Sequence, residues 1–389
     1  MSAGARKAAV IGGGPIGLLC ALLLARRRIG CVLLDARPLE QAQRDARLLA
    51  LSRGTWELLA PLLGASLPQR AAIREVHVSS SGDFGATRIA AGDFDGEDLG
   101  ATALYGDLLA ALASSVAALP AIEVRRPASA AAVRQLPDAV EVLLDDGTPL
   151  AADLAIHAEG IAAAEAPGTP EAGADWALLA DVRLRPARAD LPAGAAFERF
   201  TRSGPLALLP TPRCLAGGAG QAMSMVWCMS EAEVRRRSAL ADHDLLGELQ
   251  AEIGPRIGTI ATIGPRRPVA LAQRRRERVH EHRVVALGNA AQTLHPVAGQ
   301  GFNLGVRDCF TLADELDATA SVPDALARYA RRRRADRAAI MALTGALPAL
   351  FASRFAPLAI ARGAGLALLD TAAPLRRQLA HLLMFGVRS

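Results

Sequence analysis

The sequence predicts an α/β protein whose first unit is a parallel strand–helix–strand. Three observations predict it. Residues 8–35 read strand, glycine turn, helix, strand; a second glycine-rich turn between a strand and a helix follows at 288–301; and 389 residues suffice for two domains, or one elaborated α/β unit, that folds without disulfide staples.

Ala8 to Ala25 is uncharged and follows Arg6 and Lys7, so by hydropathy alone it resembles a signal peptide or a membrane span. Its centre argues otherwise. "VIGGGPIG" places glycines and a proline where a spanning helix should be most regular, and the next apolar run, "CVLLD", ends on an acid. The turn carries Gly12-x-Gly14-x-x-Gly17. Gly12 allows the tight turn, Gly14 lets backbone approach a pyrophosphate, and Gly17 lets the helix pack close to the strand. Asp35 closes the second strand 18 residues after Gly17, where a carboxylate accepts hydrogen bonds from ribose hydroxyls. The spacing predicts a Rossmann-type dinucleotide site.

"RVVALGNAAQTLHPVAGQGFNLGVRDCFTLADEL" then reads as a strand (Arg283 to Leu287), a Gly-Asn turn and a helix after a glycine-rich entry. A transiently bound nicotinamide seldom needs a second backbone cradle. A tightly held FAD does, because main chain must approach its ring edge-on. The helix that begins near Gly301 would turn its positive end toward the flavin. A plain NAD(P)-dependent dehydrogenase leaves this second cradle without a purpose, and a flavin halogenase needs an active-site lysine, whereas Lys7 is the sole lysine and precedes the first strand.

Composition narrows the partners. The five cysteines, Cys20, Cys31, Cys214, Cys228 and Cys309, have no CxxC spacing, and a reducing cytoplasm is expected. His280-Glu281-His282 sits among arginines and reads as a solvated loop, so no metal is expected. The net charge of +5 is nearly all arginine. Runs at Arg235 to Arg237, Arg274 to Arg276 and Arg331 to Arg334 lack interleaved aromatics, so solvated helix faces are expected before an anionic membrane surface, and nucleic acid is not expected.

"GNAAQTLHPVAGQGFNLGVRD" (Gly288 to Asp308) closely resembles the second FAD motif of the ubiquinone-biosynthesis ring hydroxylases, a branch of the flavin aromatic monooxygenases related to p-hydroxybenzoate hydroxylase. "DARLLALS" (Asp45 to Ser52) resembles that family's D-x-R-x-x-A-L-S segment. "FERFTRSGPLALLP" (Phe197 to Pro210) resembles a stretch on its substrate-roofing sheet, and "ALARYARRRRADRAAIMALT" the helix after the second motif.

The resemblance implies that NADPH or NADH reduces FAD, that dioxygen adds, and that one oxygen atom passes to the ring of a polyprenylated phenol. It implies that Arg47 contacts the flavin, that Pro296 lies beside it with its carbonyl accepting a hydrogen bond from the oxygenated ring, and that Gly288, Asn289, Gly299, Gln300, Gly301 and Asn303 form the cradle. The last four would present backbone to the ring. Asn289 stands where the wider superfamily has Asp. His295 either positions substrate or relays a proton, or is a hydrogen-bonded structural histidine before the proline.

One stretch departs from the family's A-D-G motif. "HAEGIAAAEAPG" (His157 to Gly168) carries Glu159 for the Asp and lacks the Ser and Arg that follow, and Trp176 stands near the place of the usual Tyr and Gln. Either flavin reduction or FAD retention is weakened and the chain is an accessory member of a ubiquinone-synthesis complex, or the lineage has drifted and the longer Glu stem still reaches.

The expected architecture is a discontinuous FAD-binding domain (1–70, 98–170 and 283–325), an antiparallel-sheet substrate domain (71–97 and 171–282) and a helical C-terminal tail (326–389). Ala110 to Ala118 reads as helix and Ala162 to Ala172 as loop. In the tail, Pro348, Pro357 and Pro374 are expected to separate short amphipathic helices that pack on the FAD domain, dock on the inner face of the cytoplasmic membrane, or both.

Overall fold

A computed structural model describes residues 6–81, 85–160, 175–186, 193–213, 220–271, 274–352 and 356–387. Cys214 and the loop expected over 162–172 lie outside them.

Lys7–Ile11 is the hub of a six-stranded sheet, in parallel register with Gly30–Leu34 on one side and Leu154–His157 on the other. Ile122–Arg125 and Val284–Ala286 extend the sheet in parallel, and His280–Glu281 closes one edge antiparallel. Both faces are covered, which is why these strands are apolar throughout rather than alternating. Ala8 and Val10 enter a core with the helices Pro15–Arg26, Tyr105–Ala117 and Gln300–Ala318. Ala9 and Ile11 point the other way, onto Val140, Val142 and Leu150 of a three-stranded antiparallel sheet. Pro15–Arg26 is buried almost all round, the reason its sequence mimics a membrane segment. No helix among the described residues is long and apolar enough to cross a membrane.

The second layer is an eight-stranded sheet from residues 75–90 and 175–271. It departs from the expected antiparallel pattern at one place: Glu75–Ser80 and Ala195–Phe200 run parallel. The two strands come from distant parts of the chain, so no hairpin constrains their direction. One face packs Leu178, Val182, Met225 and Trp227 against Val234, Leu245 and Leu249 of two helices. The opposite face looks toward the tail.

Two arginines expected at solvated faces are buried. Arg237 stacks 4.1 Å over the Trp227 ring, with Nε 2.9 Å from Glu248 Oε2. Arg333 donates from Nε to Asp308 Oδ1 at 2.7 Å. Arg333 bends to Asp308, a carboxylate fully out of water, and Arg237 to Glu248, which is one-third exposed at 33%; these pairings, with the Trp227 ring under Arg237, override the solvation preference of each run.

The tail forms three helices, Val322–Ala352, Ala356–Thr371 and Ala373–Phe385. Pro357 and Pro374 occupy the second position of their helices, where a missing N–H costs nothing. Pro348 does not end its helix as expected: the first helix forgoes one internal hydrogen bond there and continues to Ala352. Ala356–Thr371 packs on strands Glu75–Ser80 and Ala86–Ala90, and Ala373–Phe385 on the helix Arg53–Leu63.

Candidate active site

The first glycine turn is tight for reasons visible atom by atom. Gly12 has φ +104° and donates to Leu34 O at 2.8 Å. A Cβ on it would lie 2.5 Å from the Ala158–Glu159 backbone, and one on Gly17 would lie 1.8 Å from Gly12 O. Gly14 differs: its Cβ would meet just the Tyr105 hydroxyl, at 3.1 Å. It caps Pro15–Arg26 without a side-chain partner, so the helix N-terminus is open to an anion.

Asp35 sits at the end of the second strand, as its position in the sequence requires. Its Oδ2 accepts the Gly13 N–H at 2.7 Å and its Oδ1 the Arg37 N–H at 2.8 Å, so it braces the turn while each oxygen keeps a lone pair for a ribose hydroxyl. Arg126 comes from the neighbouring strand, where no motif marked it. Its guanidinium donates to Gly13 O and stands 3.9 Å from Asp35, and its Nη1 is buried with no partner. Burial lowers its pKa, partly offset by the Asp35 charge.

Arg47 lies at the other side of Gly14. It stacks 4.6 Å over Tyr105, the residue whose hydroxyl approaches Gly14, and pairs with Asp45 at 2.7 Å. Burial pushes the Asp45 carboxyl up, but hydrogen bonds and charge from Arg47 bring it net below its usual value. The strand Leu48–Ser52 carries this group toward the second cradle. There the Asn303 side chain accepts from Ser52 N at 2.9 Å and donates to Ala50 O at 3.1 Å and Gly299 O at 2.9 Å.

In the second cradle, Ala298 and Gly299 are both left-handed, with φ +59°, and turn the chain into Gln300–Ala318. A Cβ on Gly299 would lie 2.7 Å from Ala50 Cβ, whereas Gly301 faces open space. Gly288 and Gly305 close around Ile16 of the first helix, locking the two cradles together. Asn289 is exposed, and its carbonyl accepts from Thr293. His295 is 2 % exposed; its Nδ1 accepts the Val297 N–H at 3.3 Å, so the ring is tied to its own turn. Glu159, at the end of Leu154–His157, places Oε2 2.8 Å from His157 Nδ1.

Pro296, Gly299, Gln300 and Asn303 line one end of a cavity of about 260 Å³. The eight-stranded sheet forms its floor and the tail helices its roof, through Leu343, Leu347, Phe351, Leu366 and Leu383 among others. Its walls are almost wholly apolar. Glu198 and Thr87 are the exceptions on the sheet.

The donor set fits FAD. Arg126 Nη1 at the first cradle and Gln300 Oε1 at the second are buried orphans that a polar ligand would satisfy, and Gly14 and Gly301 leave the space it needs. Tyr105, Arg126, Thr87 and Glu198 were not singled out by the sequence.

A covered parallel sheet, two interlocked glycine cradles and an apolar cavity at the second define the class, an FAD-dependent monooxygenase. Residues 6–344 match the family described as FAD binding domain, and the chain belongs to that family. It is 31% identical over 392 residues to the ubiquinone hydroxylase UbiL of Rhodospirillum rubrum, covering 95% of this chain and 87% of that protein. It is 28% identical to the 3-demethoxyubiquinol 3-hydroxylase of Escherichia coli, covering 95% and 96%. Its fold is similar to that of the p-nitrophenol 4-monooxygenase PnpA of Pseudomonas putida DLL-E4, with a TM-score of 0.77 at 17% identity over 99% of this chain and 100% of that one.

Proposed function

We propose that the protein hydroxylates the ring of a polyprenylated phenol in ubiquinone biosynthesis, using NADPH or NADH as electron donor and dioxygen as oxidant. The observation that carries this reading is the apolar cavity whose end is formed by Pro296, Gly299 and Gln300 and whose roof is formed by tail leucines. Such walls suit a ring with a prenyl chain and exclude water from it.

Gly12, Gly14, Asp35 and Arg126 would hold the adenosine and pyrophosphate, with Arg47 and Tyr105 beside them. Backbone of Gly299, Gln300 and Gly301 would hold the ring. FAD, once bound and reduced, supplies the activation of dioxygen. The N-terminus of Gln300–Ala318 adds a fixed positive field there, which favours negative charge on the bound ring system. The Pro296 carbonyl accepts the Gly299 N–H at 2.9 Å, and its second lone pair would accept a hydrogen bond at the cavity end.

Ile360, Leu368 and Leu375 expose large apolar side chains on the tail helices. This supports a cytoplasmic protein that docks peripherally on the inner face of the membrane, where a prenylated phenol resides, alone or within a biosynthetic complex. Quinone analysis of a strain lacking the gene tests the reading. An accumulated under-hydroxylated precursor, cleared by the wild-type gene, is expected; normal ubiquinone contradicts it. Restoration by a variant whose flavin cannot be reduced would instead assign an accessory role.

A further inference from the structure

We propose that Glu198 and Thr87 seat a ring bearing oxygen substituents on opposite edges, a hydroxyl on Glu198 and a second oxygen on Thr87, with Glu198 as the base for the hydroxyl proton. The proposal rests on the hydroxylase reading and names the substrate's polar pattern.

Sheet register places the two groups. Val226, Ala207, Glu198, Val78 and Thr87 are direct cross-strand partners on five adjacent strands, so their side chains share one face, and all five line the cavity. In the adjoining row, Ala196, Val76 and Ile89 also line it and are apolar. Glu198 and Thr87 therefore flank Val78, two strand spacings or about 10 Å apart. An aromatic ring lying over Val78 spans that gap when it carries oxygens across the ring from one another.

Among the described residues, neither group is paired with another. Thr87 Oγ1 is buried without a partner, an expensive arrangement unless a ligand supplies one. Among the described residues, no other ionisable side chain lines the cavity. The charges nearby are committed elsewhere: on the opposite face of the same strands, Glu75 binds His77 at 3.0 Å and Arg88 at 3.1 Å, and Arg199 binds Ser79 at 3.0 Å. From the tail, Arg362 turns onto the ring and carbonyl of Phe351. Glu198 is only partly buried by surface area, because part of it faces the open cavity. The surroundings are apolar all the same, and burial alone pushes its carboxyl up to about 7. That narrows the gap to a phenol near ~10 and suits a base that acts while the ring reacts.

The step balances within the proposed reaction, in which dioxygen is the oxidant. The phenolic O–H bond breaks, its proton joins a Glu198 carboxylate oxygen, and the electron pair stays on the phenolic oxygen. Electron density rises at the ortho and para ring carbons, and because the para carbon carries the second oxygen, an unsubstituted ortho carbon is the position open to an electrophilic oxygen.

The test titrates FAD-loaded protein with 2-octyl-4-methoxyphenol, 2-octyl-4-ethylphenol and 2-octyl-1,4-dimethoxybenzene, reading flavin absorbance, and then measures turnover of the two phenols. Wild type should favour the methoxyphenol over the dimethoxy compound by about tenfold. Glu198→Leu, an apolar side chain in an apolar cavity, should abolish that preference. Thr87→Val should abolish just the preference for the methoxyphenol over the ethylphenol. Glu198→Gln should keep the binding preference but lose about a hundredfold in kcat, because an amide accepts a hydrogen bond and not a proton. Unchanged preferences and turnover in Glu198→Leu and Glu198→Gln overturn the proposal. If wild type selects the methoxyphenol as expected yet hydroxylates no phenol, the seat stands and the hydroxylase reading falls.

Discussion

Glu159 and His157 hold each other at the mouth of the first cradle, with Oε2 2.8 Å from Nδ1. Two neighbouring contacts fix their backbone: Ala158 N donates to Ile11 O at 2.7 Å and Leu287 N to His157 O at 2.9 Å. The longer Glu stem thus reaches a partner on its own strand end. Aspartate at this position is one methylene shorter and loses that reach.

Glu159→Asp should therefore free the carboxylate from His157. Misplacement near ~1 Å can cost on the order of a hundredfold in rate, so flavin reduction by NADPH should speed up while FAD affinity stays nearly constant. Anaerobic stopped flow checks this. A slower Asp variant would mean that the site depends on the His157 contact.

Gly14 and Gly17 should separate binding from folding. Gly14→Val puts a Cβ 3.1 Å from the Tyr105 hydroxyl, the tip of a side chain that can give way, and should yield folded protein without FAD, because the new side chain fills the phosphate approach. Gly17→Ala drives a Cβ to 1.8 Å from Gly12 O and should yield little folded protein. Circular dichroism and flavin content of the purified variants measure both effects; a Gly14→Val protein with full FAD contradicts the assignment.

Asn303→Leu keeps the side-chain volume and removes three hydrogen bonds, two to Leu48–Ser52 and one to Gly299 of the second cradle. Leaving the Ser52 N–H unpaired and buried should cost about 1–3 kcal/mol in urea unfolding, and FAD affinity should fall as Gly299 loosens. Unchanged stability would mean the cradle is held by packing alone.

Acid should loosen the tail. Asp336 Oδ1 accepts the Val387 N–H at 2.9 Å, and Oδ2 lies 2.8 Å from Arg307 Nε. Burial pushes its carboxyl up, but Arg333 and Arg307 bring it net below 3.8. A depressed carboxylate contributes stability above its unfolded pKa and loses it as pH falls through the folded value, so the contribution should fade below about pH 4. Arg333→Met should cost about 3–5 kcal/mol at pH 7 and shrink this acid dependence, which denaturant titrations at several pH values would measure. An acid slope equal to wild type's contradicts the account.

The parts of the site visible in the sequence are those where backbone geometry demands a residue type. Gly12, Gly14, Gly17 and Gly299 are written as glycines because a Cβ would strike something or fill a needed space, and Asp35 stands at a spacing set by the same unit, whereas Arg47 was legible through the resemblance of its segment alone. Glu198 sat inside a recognised stretch, yet its proposed role depends on cross-strand register, which aligns it with Val78 and, one strand further, Thr87, residues over a hundred positions away. Tyr105 and Arg126 reach the cradle from elements without a motif. The tail leucines read as an amphipathic stripe, but a stripe does not name what it covers. Burial of Arg237 and Arg333 was invisible for the same reason: their carboxylate partners are chosen by packing.

The central claim is that this chain passes one atom of dioxygen to a phenolic ring. FAD-loaded protein should be incubated with NADPH, a chelator and 2-octyl-4-methoxyphenol under isotopically heavy dioxygen, and the product weighed by mass spectrometry. The account predicts a hydroxylated product carrying one heavy oxygen atom, formed equally with and without the chelator. A product whose new oxygen comes from water, or an activity that requires added metal, would contradict it.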